Sequence, residues 1–106
     1  MRKSSEQRKY VGLDKDSNQG MTATGRIIRD AWVFGLIPEG TTCEGWLMQG
    51  IEDLWSKVNV EWEKYGFLVS NLPPEMLEKH TRIHGVAFEK AKQSGWDPDT
   101  EVAAED

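Results

Sequence analysis

Two histidines one helical turn apart carry the sharpest chemical signal in this chain. In the run His80-Thr81-Arg82-Ile83-His84, the i, i+4 spacing projects both imidazoles from one helical face, one above the other. Two neutral imidazoles so placed can share a zinc, nickel or copper ion. Thr81 follows His80, so the glutamate base of the His-Glu-x-x-His hydrolase pattern is missing. A metal site then needs a third ligand from elsewhere, and Glu39, Cys43 and Glu44 are the candidates if the start of the second helix lies near. The plainer reading is two boundary histidines, each hydrogen-bonded to a loop carbonyl. A pH-responsive contact lies between the two readings, because histidine titrates near neutrality.

Two further groups offer chemistry. Cys43 is the only cysteine, so neither an intrachain disulfide nor a cysteine-based zinc site can form. Near the start of a helix its thiolate is favoured by backbone N–H groups and the helix dipole, and neighbouring Glu44 opposes that shift. As a nucleophile it needs a base within hydrogen-bond reach, and only the two histidines offer one; a partly buried, inert cysteine is the default. Asp14, Asp16 and Asn18 match the first ligand positions of a calcium loop. Gln19 then stands where the invariant glycine belongs, and Gly25 where the bidentate glutamate belongs, so a polar turn is the expectation. The glycines at 25, 35, 40, 45 and 50 form no phosphate-binding pattern.

The elements that position these groups are helical. There are five tryptophans in 106 residues, and Trp46, Trp55 and Trp62 alternate with Ile51, Leu54 and Val58 at helical spacing. A first helix is expected from about Thr22, its N-cap, to Phe34, with Ile27, Ile28, Ala31 and Trp32 inward and Arg26, Arg29 and Asp30 on the other side. Gly35 and then Pro38 end it. Thr41 with Glu44 reads as a capping box opening a second helix that runs to Tyr65 and closes at Gly66. Pro74 opens a third helix, Met76, Leu77, Ile83, Ala87, Phe88 and Ala91 mark its inner face, and Gly95 ends it. The fold class is therefore mainly α, a compact three-helix bundle, with room for a short two-stranded β ribbon between residues 9–13 and 67–70. Residues 1–20 read as a polar N-terminal arm, 21–97 as the helical domain and 98–106 as an acidic disordered tail.

The bulk numbers bound the partners. A formal net charge of −5, from 13 basic and 18 acidic residues, gives no basic footprint for nucleic acid. No apolar run approaches the length of a membrane span, and Met1 to Tyr10 lacks the apolar stretch of a secretory signal, so a cytoplasmic location is expected. A core of this size cannot take five whole indoles. Trp46 and Trp96, at helix ends, are the ones expected to stay part-exposed, beside the apolar loop Leu36-Ile37-Pro38. The leading expectation is a non-enzymatic protein-interaction module whose face is Trp46, Leu36, Ile37, Pro38 and Trp96, binding a protein partner or a second copy of the chain. The alternative is a metal-binding or metal-responsive protein that uses His80 and His84, with zinc or another transition metal as the only cofactor considered. A third is a small enzyme using Cys43 or a histidine.

Overall fold

Helix stops written into the sequence set the architecture. The structure is a computed structural model that describes residues 9–96; the expected acidic tail and the first part of the expected arm lie outside the described residues. The molecule is mainly helical, with α1 over Ala23–Val33, α2 over Met48–Glu63 and α3 over Pro74–Gln93. The Thr22 side chain caps α1 by accepting the Gly25 N–H at 3.0 Å, satisfying one of the orphan donors of the first turn. All three helices close in the same way. Gly35, Gly66 and Gly95 adopt φ of 72°, 65° and 106°, which only glycine accepts readily. At each end the next residue's N–H reaches back over a full turn: Leu36 to Ala31, Phe67 to Trp62 and Trp96 to Ala91.

The start of α2 departs from expectation. The Thr41–Glu44 capping box is not used; the helix begins at Met48, behind an N-cap at Leu47 with no side-chain cap. Cys43 and Gly45 stand at φ of 62° and 83°, outside helical space. What overrides the local signal is the N-terminal arm. Tyr10 N donates to Trp46 O, Gly45 N donates to Tyr10 O, and Leu13 N donates to Thr42 O, at 2.8 to 3.0 Å. These bonds take backbone groups that a helix starting at Thr41 needs for itself. They also replace the ribbon expected with residues 67–70. Lys9 bridges Leu47 instead, residues 69–71 form a 3-10 turn, and no strand occurs among the described residues.

α1 is the central element, packed against both α2 and α3. Ile27, Ile28, Ala31, Ile51, Leu54, Val58, Cys43, Tyr10 and Leu13 make one buried cluster, and Trp46, Trp55 and Trp62 are partly buried against it. Because α1 is covered on two sides, Arg29 and Asp30, expected on an outward face, are buried at 7% and 4% exposure. Leu47, just before α2, is 49% exposed. Two consecutive 3-10 turns, Leu13–Lys15 and Ser17–Gly20, fold the rest of the arm down. The Asp16 carboxylate organises them, accepting from the Tyr10 hydroxyl at 2.6 Å, the Thr22 hydroxyl at 2.7 Å and Ser17 N at 2.7 Å. Its oxygens are thus committed to capping, as a polar turn requires. No helix of the described residues is long and apolar enough to cross a membrane.

The approach of the arm to α1 is tightest at Gly25. A Cβ on Gly25 collides with the Gly20 carbonyl oxygen, whereas a Cβ on Gly85 in α3 meets nothing within 4 Å. Gly85→Ala is expected to stabilise by up to about 1 kcal/mol, the helix-propensity gain. Gly25→Ala is expected to destabilise by roughly 1–3 kcal/mol through overpacking, despite the same intrinsic gain. Urea titration of the two variants checks this contrast; equal signs would place the Gly20 carbonyl away from Gly25.

Candidate metal centre

The histidine pair acquires its third partner from α1. Asp30 is buried, and its Oδ1 lies 2.7 Å from His84 Nε2, where a carboxylate accepts the ring N–H. Its Oδ2 accepts the Trp62 indole N–H at 3.1 Å. His80 sits one turn before His84, the two ring centroids 4.4 Å apart. One ligand atom from each of Asp30, His80 and His84 falls within 4.8 Å of the other two. That is a carboxylate and two imidazoles drawn from two helices, a donor set suited to a first-row divalent ion.

The surroundings hold this set in place. Trp62 meets His80 edge to face at 6.1 Å and Phe34 edge to face at 5.1 Å, while Phe34 stacks on Tyr65 at 6.3 Å. The aromatic row fixes the ring of His80 against α2. Burial first, then the neighbouring His84, lowers the His80 pKa below its ordinary value, against the pull of Asp30. His80 is therefore neutral near pH 7, with a lone pair free to ligate. A cleft of about 440 Å³ opens beside the three groups, walled by Arg26, Trp62, Phe67 and Val69. Phe67 reaches that wall because the turn closing α2 holds it at φ 60°, an uncommon conformation for a residue with a Cβ, and leaves it 57% exposed. Asn71 Nδ2 braces the turn by donating to Tyr65 O at 2.9 Å.

The helical spacing of His80 and His84 pointed to this centre; Asp30 was not legible, because it lies on another helix and its period placed it outward. None of the third ligands expected from the sequence is recruited. Glu39 forms a two-pronged ion pair with Arg82 at 2.7 and 3.1 Å, which holds its carboxyl below the ordinary range. Glu44 is exposed. Cys43 is buried at 2% exposure in a loop rather than at a helix start, and burial pushes its thiol up to about 11. It is protonated at neutral pH, the opposite of an activated nucleophile.

The expected partner face is dispersed over two environments. Leu36, Ile37 and Trp46 are partly buried on the main core, and Pro38 is exposed. Trp96 packs instead on Phe88 of α3, edge to face at 5.6 Å. The chain matches no protein-family model, and no curated protein or solved structure shows significant similarity to it.

Burial of Cys43 has a consequence for stability. A thiol raised from 9.0 to about 11 stays neutral in the fold while the unfolded thiol ionises. Its contribution is complete below pH 9.0 and is lost as pH rises towards about 11. Tyr10, raised from 10.0 by burial and then by its hydrogen bond to Asp16, adds a loss of the same sign at higher pH. Denaturant midpoints measured across this alkaline range should fall, and Cys43→Ala should flatten the first part of the decline. An unchanged slope in Cys43→Ala would assign it to other groups.

Proposed function

We propose that this protein binds a divalent transition metal through Asp30, His80 and His84, as a metal-binding or metal-responsive protein. The observation that carries the reading is the convergence of a buried carboxylate from α1 with two imidazoles from α3 within 4.8 Å, beside an open cleft. Three protein ligands with a cleft alongside leave a coordination position accessible to water or a small ligand. Asp30 is already satisfied by Trp62 and His84, so the fold does not depend on the ion. Metal entry replaces the His84–Asp30 hydrogen bond with bonds to the cation, and affinity falls at low pH because protonation of His80 removes a ligand lone pair.

Titration with zinc, and with cobalt(II) for its visible spectrum, should show one equivalent bound near neutral pH. His80→Ala, and His84→Gln, which keeps a donor for Asp30, should each weaken binding by at least about tenfold, the scale of losing one ligand's contribution, while circular dichroism stays unchanged. Binding should weaken as pH falls below 6.5, the ordinary histidine value from which His80 is lowered. No zinc or cobalt binding at micromolar ion, or binding that survives both histidine substitutions, would refute the proposal.

A second reading, a protein-interaction surface, draws on one observation. Leu47 and Met48, next to Trp46, are 49% and 38% exposed, an apolar strip at the start of α2 that an interface can cover. Pairing with a second copy is its simplest form. Sedimentation velocity should then show concentration-dependent dimerisation that Leu47→Asp abolishes without loss of helical signal. A wild-type chain that stays monomeric at high concentration sinks the homodimer.

A further inference from the structure

A second cleft lies on the other side of α1, between the arm and α3. Its volume is about 450 Å³, and its lining includes Arg29, Trp32, Leu13, Ile83, Val86 and Ala87. Arg29 is the unusual member. It is 7% exposed, yet forms no salt bridge among the described residues. Its hydrogen bonds all leave from Nη1, to Gly20 O at 3.0 Å and weakly to Met21 Sδ at 3.9 Å. A guanidinium carries five N–H donors, so the Nε and Nη2 edge is left without a partner among the described residues. Neither nitrogen is among the fully enclosed polar atoms that lack a partner, so this donor edge keeps access to solvent and can receive an anion.

The carboxylates nearest in sequence and space are already committed. Asp16 is taken by Tyr10, Thr22 and Ser17, and Asp30 by Trp62 and His84. Exposed Asp14 and Lys90 bring opposite charges to the same lining and offset one another. The remaining lining is mostly carbon, with the Ser94 side chain as its polar member. Trp32 spends its indole N–H on Thr41 O at 3.0 Å, so it offers the cleft an apolar surface. Val86, 56% exposed, extends that surface outward.

We propose that this cleft binds an apolar monocarboxylate, its carboxylate held by the free edge of Arg29 and its hydrocarbon body lying along Trp32, Ile83 and Val86. A carboxylate matches a guanidinium edge with two parallel hydrogen bonds, the strong form of this pairing, and an apolar body fits the wall formed by Trp32, Ile83 and Val86. The site is independent of the metal reading, since it shares no residue with Asp30, His80 and His84.

Decanoate is a suitable probe, with decanol and inorganic phosphate as controls, measured by calorimetry and by NMR of the full chain labelled with nitrogen-15. One equivalent of decanoate should bind saturably and shift the Arg29 side-chain Nε–H resonance. Decanol should bind at least about tenfold more weakly, the scale of losing a charge-assisted pair. Arg29→Met should lose decanoate binding. Because that variant can fail to fold, Ala87→Phe, which fills the cleft and keeps Arg29, should weaken binding by about tenfold or more through steric exclusion. The proposal is overturned if the wild type shows no saturable decanoate binding at millimolar ligand. It is equally overturned if decanol binds as well as decanoate, if phosphate alone binds as well, or if folded Ala87→Phe binds like the wild type.

Discussion

The buried carboxylate of Asp30 is the constraint on which the arrangement of the three helices depends. An ionised group at 4% exposure is tolerated only if its lone pairs are filled. Here one oxygen is filled from α2, by Trp62, and the other from α3, by His84. The hydrophobic cluster joins α1 to α2 without fixing how α3 sits, since apolar contacts are non-directional. The two hydrogen bonds to Asp30 are directional. They set the register of all three helices at one point, and that point is also where the candidate metal ligands meet. Structural and chemical demands therefore fall on the same carboxylate.

Much of the scaffold could be read from the chain, for local reasons. Thr22, Gly35, Gly66, Pro74 and Gly95 each act within one helical turn, so their caps and stops were visible in the order of residues. The His80–His84 pair was visible for the same reason. What escaped was set by distant contacts. The Thr41–Glu44 pair has the form of a capping box, but the arm from residues 10–13 takes the neighbouring backbone groups, and α2 starts a full turn and more later. Asp30 looked like a solvent-facing residue because a helical period identifies one buried face, and α1 is covered on two. The apolar run at residues 67–69 carries no periodicity, and it became a turn beside the metal centre, fixed by Gly66 and Asn71, rather than a strand.

Arg29 and Asp30 show how one helix can serve two clefts. Neighbours in sequence leave a helix about 100° apart around its axis, by the 3.6-residue turn. Placed in the middle of the bundle, α1 sends the carboxylate towards α2 and α3 and the guanidinium towards the arm. Each buried charge attracts the other through the helix, which lowers the cost of keeping both away from water, yet neither uses the other's hydrogen-bonding edge. The carboxylate thus lies on the wall of one cleft and the guanidinium on the wall of the other.

The N-terminal arm has a further consequence. It lies across the loop that holds Cys43, attached there by three backbone hydrogen bonds and sealed by Tyr10 and Leu13 in the same cluster as the thiol. Short segments fastened by few bonds open more readily than a whole domain unfolds. The acidity of Cys43 is therefore tied to the arm: the burial that pushes its thiol up to about 11 is supplied in part by Tyr10 and Leu13, so a change in the seating of the arm would register first in the reactivity of this thiol.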